Sequence, residues 1–229
     1  MNDLVGPDAG PAVSAAGLAF AYPNGEVLFS GLSVEVVAGS MLCVTGPSGA
    51  GKSTLLYCLA GVLPATGAVT LAGRPLPETP AGRASLRLQE CGFIFQRGEL
   101  LPELTVLENV ALPLRLAGRP AGLSRDAARQ AVRELGISDC ADRRPQEISG
   151  GQAQRASVAR ALIHRPTVIF ADEPTASLDT VSRDNVLVTL RGALTAGAAI
   201  ICATHDPALI TVADERLSLA VDAKDVSLR

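Results

Sequence analysis

The sequence contains no Trp, two Tyr, five Phe and two His among its 229 residues. So few rings leave no stacking platform for nucleic-acid bases. No run of five Lys or Arg occurs and the formal net charge is −3, which speaks against a basic stripe for nucleic acid. The five cysteines, Cys43, Cys58, Cys91, Cys140 and Cys202, are odd in number and include no CxxC pair. They offer neither metal-ligand spacing nor a disulfide framework, and read as small buried hydrophobes of a reducing compartment. No apolar run approaches the roughly 18 residues that a membrane-spanning helix needs. The opening MNDLVGPDAGPAVSA has no basic region ahead of an apolar core, so it does not read as a secretory signal. Residues 1–14 are expected to form a flexible tail, and 15–229 one domain.

What is present is an ordinary globular composition, 48% hydrophobic and 19% charged. Short apolar runs predict strands: GLAFAY at 17–22, VEVV at 34–37, MLCVT at 41–45, AVTLA at 68–72, GFIF at 92–95, TVIFA at 167–171 and AAIICAT at 198–204. Those at 41–45, 167–171 and 198–203 are almost unbroken, as in strands buried on both faces of a parallel sheet.

Helical spacing lies between them. Leu55, Leu56 and Leu59 share a face, and Gly61 can end that helix. Ser124 is the expected cap of a helix carrying Ala127, Ala128, Ala131, Val132 and Leu135, with Gly136 after it. Ala153, Ala156, Ala159, Leu162 and Ile163 form another stripe, stopped by Pro166, with His164 read as a structural residue within the helix. Val186, Leu187, Leu190 and Leu194 form a fourth. Strands alternating with helices predict an α/β fold. The stretch from about 98 to 165 lacks buried-strand runs and reads as an inserted helical subdomain.

The stretch GPSGAGKST runs from Gly46 through Pro47, Ser48, Gly49, Ala50, Gly51, Lys52 and Ser53 to Thr54. It fits the phosphate-loop pattern G-x-x-x-x-G-K-[ST], with a buried strand before it and a helix after it. Glycines let the backbone fold tightly and turn N–H groups toward phosphate oxygens, while the helix start adds partial positive charge. Lys52 would reach the β- and γ-phosphates and Ser53 would offer a hydroxyl to Mg²⁺.

Downstream, TVIFADEP ends a strand on Asp172 and Glu173. A carboxylate there can hold Mg²⁺, and a second one beside it can orient or deprotonate an attacking water. His205 leaves the next buried run, at the strand end where ligands bind in such sheets. Ser149, Gly150, Gly151 and Gln152 open a further helix, a second set of free amides suited to an anion.

Taken in order, these segments resemble the nucleotide-binding subunit of an ABC transporter, over residues 15–217 or so. GPSGAGKST is similar to the Walker A motif, FIFQ to the Q-loop with Gln96, ISGGQAQR to the signature, VIFADEP to Walker B, SLD to the D-loop and ATHD to the switch histidine. Tyr22 stands where that family has an adenine-stacking aromatic. Ile148 replaces the usual Leu of the signature, and Ala153 a frequent Gln; the Ser and the glycines remain.

The resemblance implies a RecA-like parallel-sheet core, an antiparallel β subdomain and the helical insert. It implies ATP and Mg²⁺ as cofactors, and a second copy packed head to tail, with each ATP between Lys52 of one chain and Ser149, Gly150 and Gly151 of the other. It makes Glu173 the general base, Asp172 a Mg²⁺ ligand, Gln96 a sensor of Mg²⁺ and water, His205 a γ-phosphate contact and Asp179 a coupler of the subunits. Two membrane-spanning permease subunits would hold the cassette on the cytoplasmic side of the membrane, with the surface from Arg97 to Val110 as the dock. The stretch LLPELTVLENVALPLRLAG at 100–118 looks like cassettes of lipoprotein release, macrolide efflux and haem export, whose partners have few spans and a large extracytoplasmic domain. A cell-division type signalling cassette shares the same motifs; an importer fits 98–118 less well.

Overall fold

The computed structural model describes residues 10–96, 98–176, 178–220 and 226–228. The chain opens with β1 (Val13–Ala21), β2 (Val27–Val36), β3 (Met41–Thr45), α1 (Lys52–Leu59), β4 (Thr66–Leu71) and β5 (Arg74–Pro75). It continues through α2 (Pro80–Glu90), β6 (Cys91–Ile94), α3 (Val106–Leu116), α4 (Ala121–Glu134) and α5 (Gly150–Leu162). It closes with β7 (Val168–Asp172), α6 (Thr180–Thr195), β8 (Ala199–Ala203), α7 (Pro207–Val212), β9 (Glu215–Leu219) and β10 (Val226–Leu228).

Two sheets form. One is antiparallel, in the order β2-β1-β4-β5; the other has six strands, in the order β10-β9-β3-β8-β7-β6. In the second, β9, β3, β8, β7 and β6 run parallel and β10 pairs antiparallel at the edge.

The three unbroken apolar runs become β3, β7 and β8, and the two-residue pleat splits them between two cores. Leu42, Val44, Val168, Phe170, Ile201 and Ala203 face a layer that holds α1 and the antiparallel sheet. Met41, Cys43, Ile169, Ala171, Ile200 and Cys202 face the helical side, with α3, α5 and α6. Each large apolar side chain so buried contributes about 2 kcal/mol. All five cysteines are buried and unpaired, and burial pushes the Cys58 and Cys91 thiols up to about 12.

Between β6 and β7 lie α3, α4 and α5, with α3 packed on both others. Thr105 and Glu108 close a reciprocal capping box at the start of α3. Asn109 is wholly buried there; its side chain accepts the Leu101 N–H at 2.7 Å and donates to the carbonyls of Leu101, Leu104 and Thr105. It shapes the loop that follows Gln96.

Several expectations are corrected. Ser124 does not cap α4, which starts at Ala121; it is buried inside the helix, and its hydroxyl donates to the Pro120 carbonyl at 3.0 Å. That back-bond satisfies the side chain where a cap was expected. His164 lies past the end of α5 at Leu162, in a turn where Arg165 adopts φ 54. Helix α2 was not anticipated: Thr79 caps it and Leu86 is its buried residue, so it has no apolar stripe to read. The expected tail overlaps β1, where Val13 is fully buried; residues 1–9 lie outside the described residues. No helix among the described residues is long and apolar enough to cross a membrane.

Candidate functional site

The larger sheet aligns its carboxyl ends. Strands β3, β8, β7 and β6 are neighbours, and their ends lead into Gly46, Thr204, Glu173 and Gln96. Four segments far apart in sequence therefore meet on one edge, where ligands bind in open α/β sheets.

The loop after β3 has a shape that glycine alone fits. Gly46 has φ 145, and a Cβ there would lie 2.4 Å from the Leu219 carbonyl oxygen. Gly51 has φ 90, and a Cβ would meet Leu28 at 2.5 Å. Gly51 is also the N-cap of α1, and no side chain caps that helix. Its first-turn amides are thus left to a ligand. Lys52 folds back over the loop: Nζ donates to the carbonyls of Gly46 at 2.8 Å and Pro47 at 2.9 Å.

The opposite wall is the turn after β7. Glu173 sits at φ 47, and its N–H donates to the Ala203 carbonyl at 2.8 Å. A left-handed non-glycine residue costs on the order of 1–3 kcal/mol, and here it lies beside the cavity. Its Oε2 accepts the Thr204 hydroxyl and the His205 N–H, each at 3.4 Å. Oε1 is 3.7 Å from His205 Nε2. Thr175 donates its hydroxyl to Asp206 at 2.8 Å, which ties the turn after β7 to the turn after β8.

A cavity of about 410 Å³ joins these walls. The loop side contributes Ser48, Gly49, Gly51, Lys52, Ser53 and Thr54; the other side contributes Gln96, Asp172, Glu173 and His205. Tyr22 lines its rim, 38% exposed and edge-on to Phe20 at 5.4 Å. The Gly46 and Pro47 carbonyls hold Lys52 Nζ, and Ala50 is buried beneath the loop.

The donor set suits a triphosphate with Mg²⁺. The described residues hold no group of three or more His, Cys, Asp or Glu arranged for a metal. Mg²⁺ takes few protein ligands, all oxygen, and completes its shell with water and phosphate. The Ser53 hydroxyl, the Asp172 carboxylate and the Gln96 amide share the cavity and fit that pattern.

Other candidates stand apart. Ser149, Gly150, Gly151, Gln152 and Asp179 do not line the cavity. Ser149 caps α5: its Oγ accepts the Gln152 N–H at 3.2 Å while Gln152 Oε1 accepts the Ser149 N–H at 3.0 Å. A Cβ on Gly150 would meet nothing within 4 Å, so the helix start is open. Asp179 caps α6, where the N–H and then the hydroxyl of Ser182 hold its carboxyl below the usual carboxylate range. Arg97 and Ser177 lie outside the described residues.

Sequence reading missed the polar side chains of α5 that reach the site. Gln154 is 2% exposed and donates to the Pro174 carbonyl at 3.2 Å, one residue past Glu173. Arg160 grips the loop after Gln96. Neither stands out in a stripe read for its alanines.

Residues 29–176 match the family described as ABC transporter. A macrolide export ATP-binding/permease protein, MacB of Rhodopseudomonas palustris (strain BisB18), is 43% identical over 210 residues, which is 89% of this chain and 32% of that protein. The lipoprotein-releasing system ATP-binding protein LolD of Shewanella oneidensis is 40% identical over 205 residues, 86% of this chain and 89% of that protein. This chain thus spans about a third of the length of the MacB relative and most of the LolD relative. The dimeric ATP-binding cassette MJ0796, solved in a post-hydrolysis state with ADP and Pi, has a TM-score of 0.87 at 27% identity, covering 94% of this chain and 97% of its own. The chain belongs to the ABC transporter family, as one of its ATP-hydrolysing cassettes.

Proposed function

We propose that this cassette hydrolyses ATP at the interface of a head-to-tail homodimer. It thereby powers export or extraction by two separate permease subunits with few spans and a large extracytoplasmic domain. One observation carries the reading. A single cavity gathers Lys52, Gln96, Asp172, Glu173 and His205, whereas the open helix start at Ser149 lies outside it. A second copy packed head to tail brings its own Ser149, Gly150 and Gly151 to that cavity.

In this reading the loop from Gly46 to Thr54 wraps the phosphates, Lys52 leaves its two carbonyls for them, and Tyr22 stacks on the base. Ser53, Asp172 and Gln96 would hold Mg²⁺, which would supply positive charge against the transferred phosphoryl group. Glu173 accepts the proton of the attacking water at its carboxylate, kept in place by Thr204 and the His205 N–H. The His205 ring turns toward the γ-phosphate, and Asp179 couples the two subunits. Closure by ATP and release by hydrolysis make a two-state device.

The cassette then works from the cytoplasmic side of the membrane, held by its permeases. The surface of residues 97–110 is the proposed dock. It adjoins a groove of about 610 Å³ between α3 and α4, where Leu107 and Ala111 lie with Arg115 and Arg125. The names of the MacB and LolD relatives support export or extraction as the work done.

The test is Glu173→Gln. The variant is expected to bind ATP, accumulate as an ATP-dependent dimer on size exclusion, and turn over about 100-fold more slowly or worse. Hydrolysis at the wild-type rate would remove Glu173 as the base.

A further inference from the structure

Arg160 sits half-buried in the last turns of α5. Its Nη1 donates to the Glu99 carbonyl at 2.9 Å and its Nη2 to the Gly98 carbonyl at 3.0 Å. The guanidinium carbon lies 5.9 Å from the centre of the Phe95 ring. Phe95, Gly98 and Glu99 bracket Gln96, and the Gly98 N–H closes the turn by donating to the Phe95 carbonyl at 3.1 Å.

The turn needs such a hold. Glu99 adopts φ 41 and Gly98 φ 73, so two successive residues are left-handed. A Cβ on Gly98 would lie 3.0 Å from the Ala153 carbonyl, so the turn is seated directly on α5. Two successive carbonyls on one guanidinium use its planar fork, which a Lys ammonium does not reproduce. No other charged side chain donates to these two carbonyls among the described residues.

We propose that Arg160 is a positioning residue. It clamps the Gly98 and Glu99 carbonyls to α5 and so fixes the turn that presents Gln96 to the nucleotide cavity. Its loss acts on turnover and spares nucleotide affinity. The proposal rests on the role given to Gln96 above. Because α5 opens at Ser149, the clamp also makes Gln96 and the signature segment parts of one body.

The experiment uses the full chain with Arg160→Met, Arg160→Lys, Gln96→Ala and the Arg160→Met/Gln96→Ala double variant. It measures kcat and KM for ATP, and hydrogen exchange of the amides of 95–101 against those of β3 and β8. Arg160→Met is expected to lower kcat by about 10- to 100-fold, with KM changed less than about threefold. Exchange in 95–101 should quicken by about tenfold while β3 and β8 keep their protection. Arg160→Lys should restore only part of the rate. The double variant should be no slower than Gln96→Ala alone, because the side chain through which Arg160 acts is already gone. Effects that multiply in the double variant, or unchanged exchange in Arg160→Met, overturn the proposal. Faster exchange together with a silent Gln96→Ala upholds the clamp and overturns the role of Gln96 instead.

Discussion

The imidazole Nε2 of His205 lies 3.7 Å from Oε1 of Glu173, and the main-chain N–H of the same histidine donates to Oε2 at 3.4 Å. One residue thus meets both oxygens of the carboxylate in two different ways. The backbone bond holds Glu173 whatever the ring does. The ring, 59% exposed against 15% for the Glu173 side chain, is free to turn to a phosphate. His205→Ala keeps the N–H and removes the ring. Turnover should fall about 10- to 100-fold, while ATP affinity changes less than about threefold. A steady-state rate near wild type would leave the ring with no part in the chemistry.

Glycines of the cradle differ in why they are glycines. At Gly46 a Cβ would press on the Leu219 carbonyl, a backbone atom of β9 with nowhere to retreat. Gly49 has φ 82 but open space around a Cβ. Gly46→Ala should therefore cost about 1–3 kcal/mol and weaken nucleotide binding at least tenfold. Gly49→Ala should cost about 1 kcal/mol from strain alone. Thermal denaturation and titration with a fluorescent ATP analogue separate the two; equal effects would contradict the geometry.

Ser149→Arg should leave ATP binding by one chain within about twofold of wild type, because Ser149 does not line the cavity. In a Glu173→Gln background the same change should abolish the ATP-dependent dimer seen by size exclusion. A normal dimer would sink the shared site.

Asn109 makes four hydrogen bonds from a fully buried position. Asn109→Ala strands the Leu101 N–H and the Leu104 carbonyl, whereas the carbonyls of Leu101 and Thr105 keep the main-chain N–H groups of Leu104 and Asn109. The loss should be about 2 kcal/mol, a melting temperature lower by roughly 4–8 °C. A shift under about 1 °C would show that water replaces the side chain at little cost.

His164 carries a pH dependence. Its Nε2 donates to the Cys91 carbonyl at 3.1 Å, while Nδ1 is buried without a partner among the described residues. Burial lowers its pKa below the ordinary 6.5, against smaller raising effects of the Cys91 carbonyl and the Glu90 charge. The unfolded chain then binds a proton before the folded one does. Stability from this group is complete above pH 6.5 and declines as pH falls from there toward the lowered folded value. Denaturant midpoints between about pH 7.5 and 5 should fall for the wild type and fall less for His164→Gln. Parallel curves would assign the loss to other groups.

Much of the fold was legible locally. The runs at 41–45, 167–171 and 198–204 are strands because an unbroken apolar run suits burial on two faces, and they do contribute to two cores. Helix α2 escaped because its burial rests on Leu86 and its start on a Thr–Pro cap, with no stripe to see. Ser124 misled because a serine hydroxyl caps a helix or bonds back inside one equally well, and Pro120 had already begun α4.

The sequence by itself determined the phosphate loop, the acidic strand end and the open helix at Ser149. These depend on torsions and capping set by residues within one turn of each other. Tertiary structure alone decided which of them share a cavity. Strand order puts the ends of β3, β8, β7 and β6 side by side, so Gln96, Glu173 and His205 meet Lys52 while Ser149 stays outside. It also let Arg160 reach carbonyls 61 and 62 residues away. Crossovers through helices set those pairings, and no window of neighbouring residues contains them.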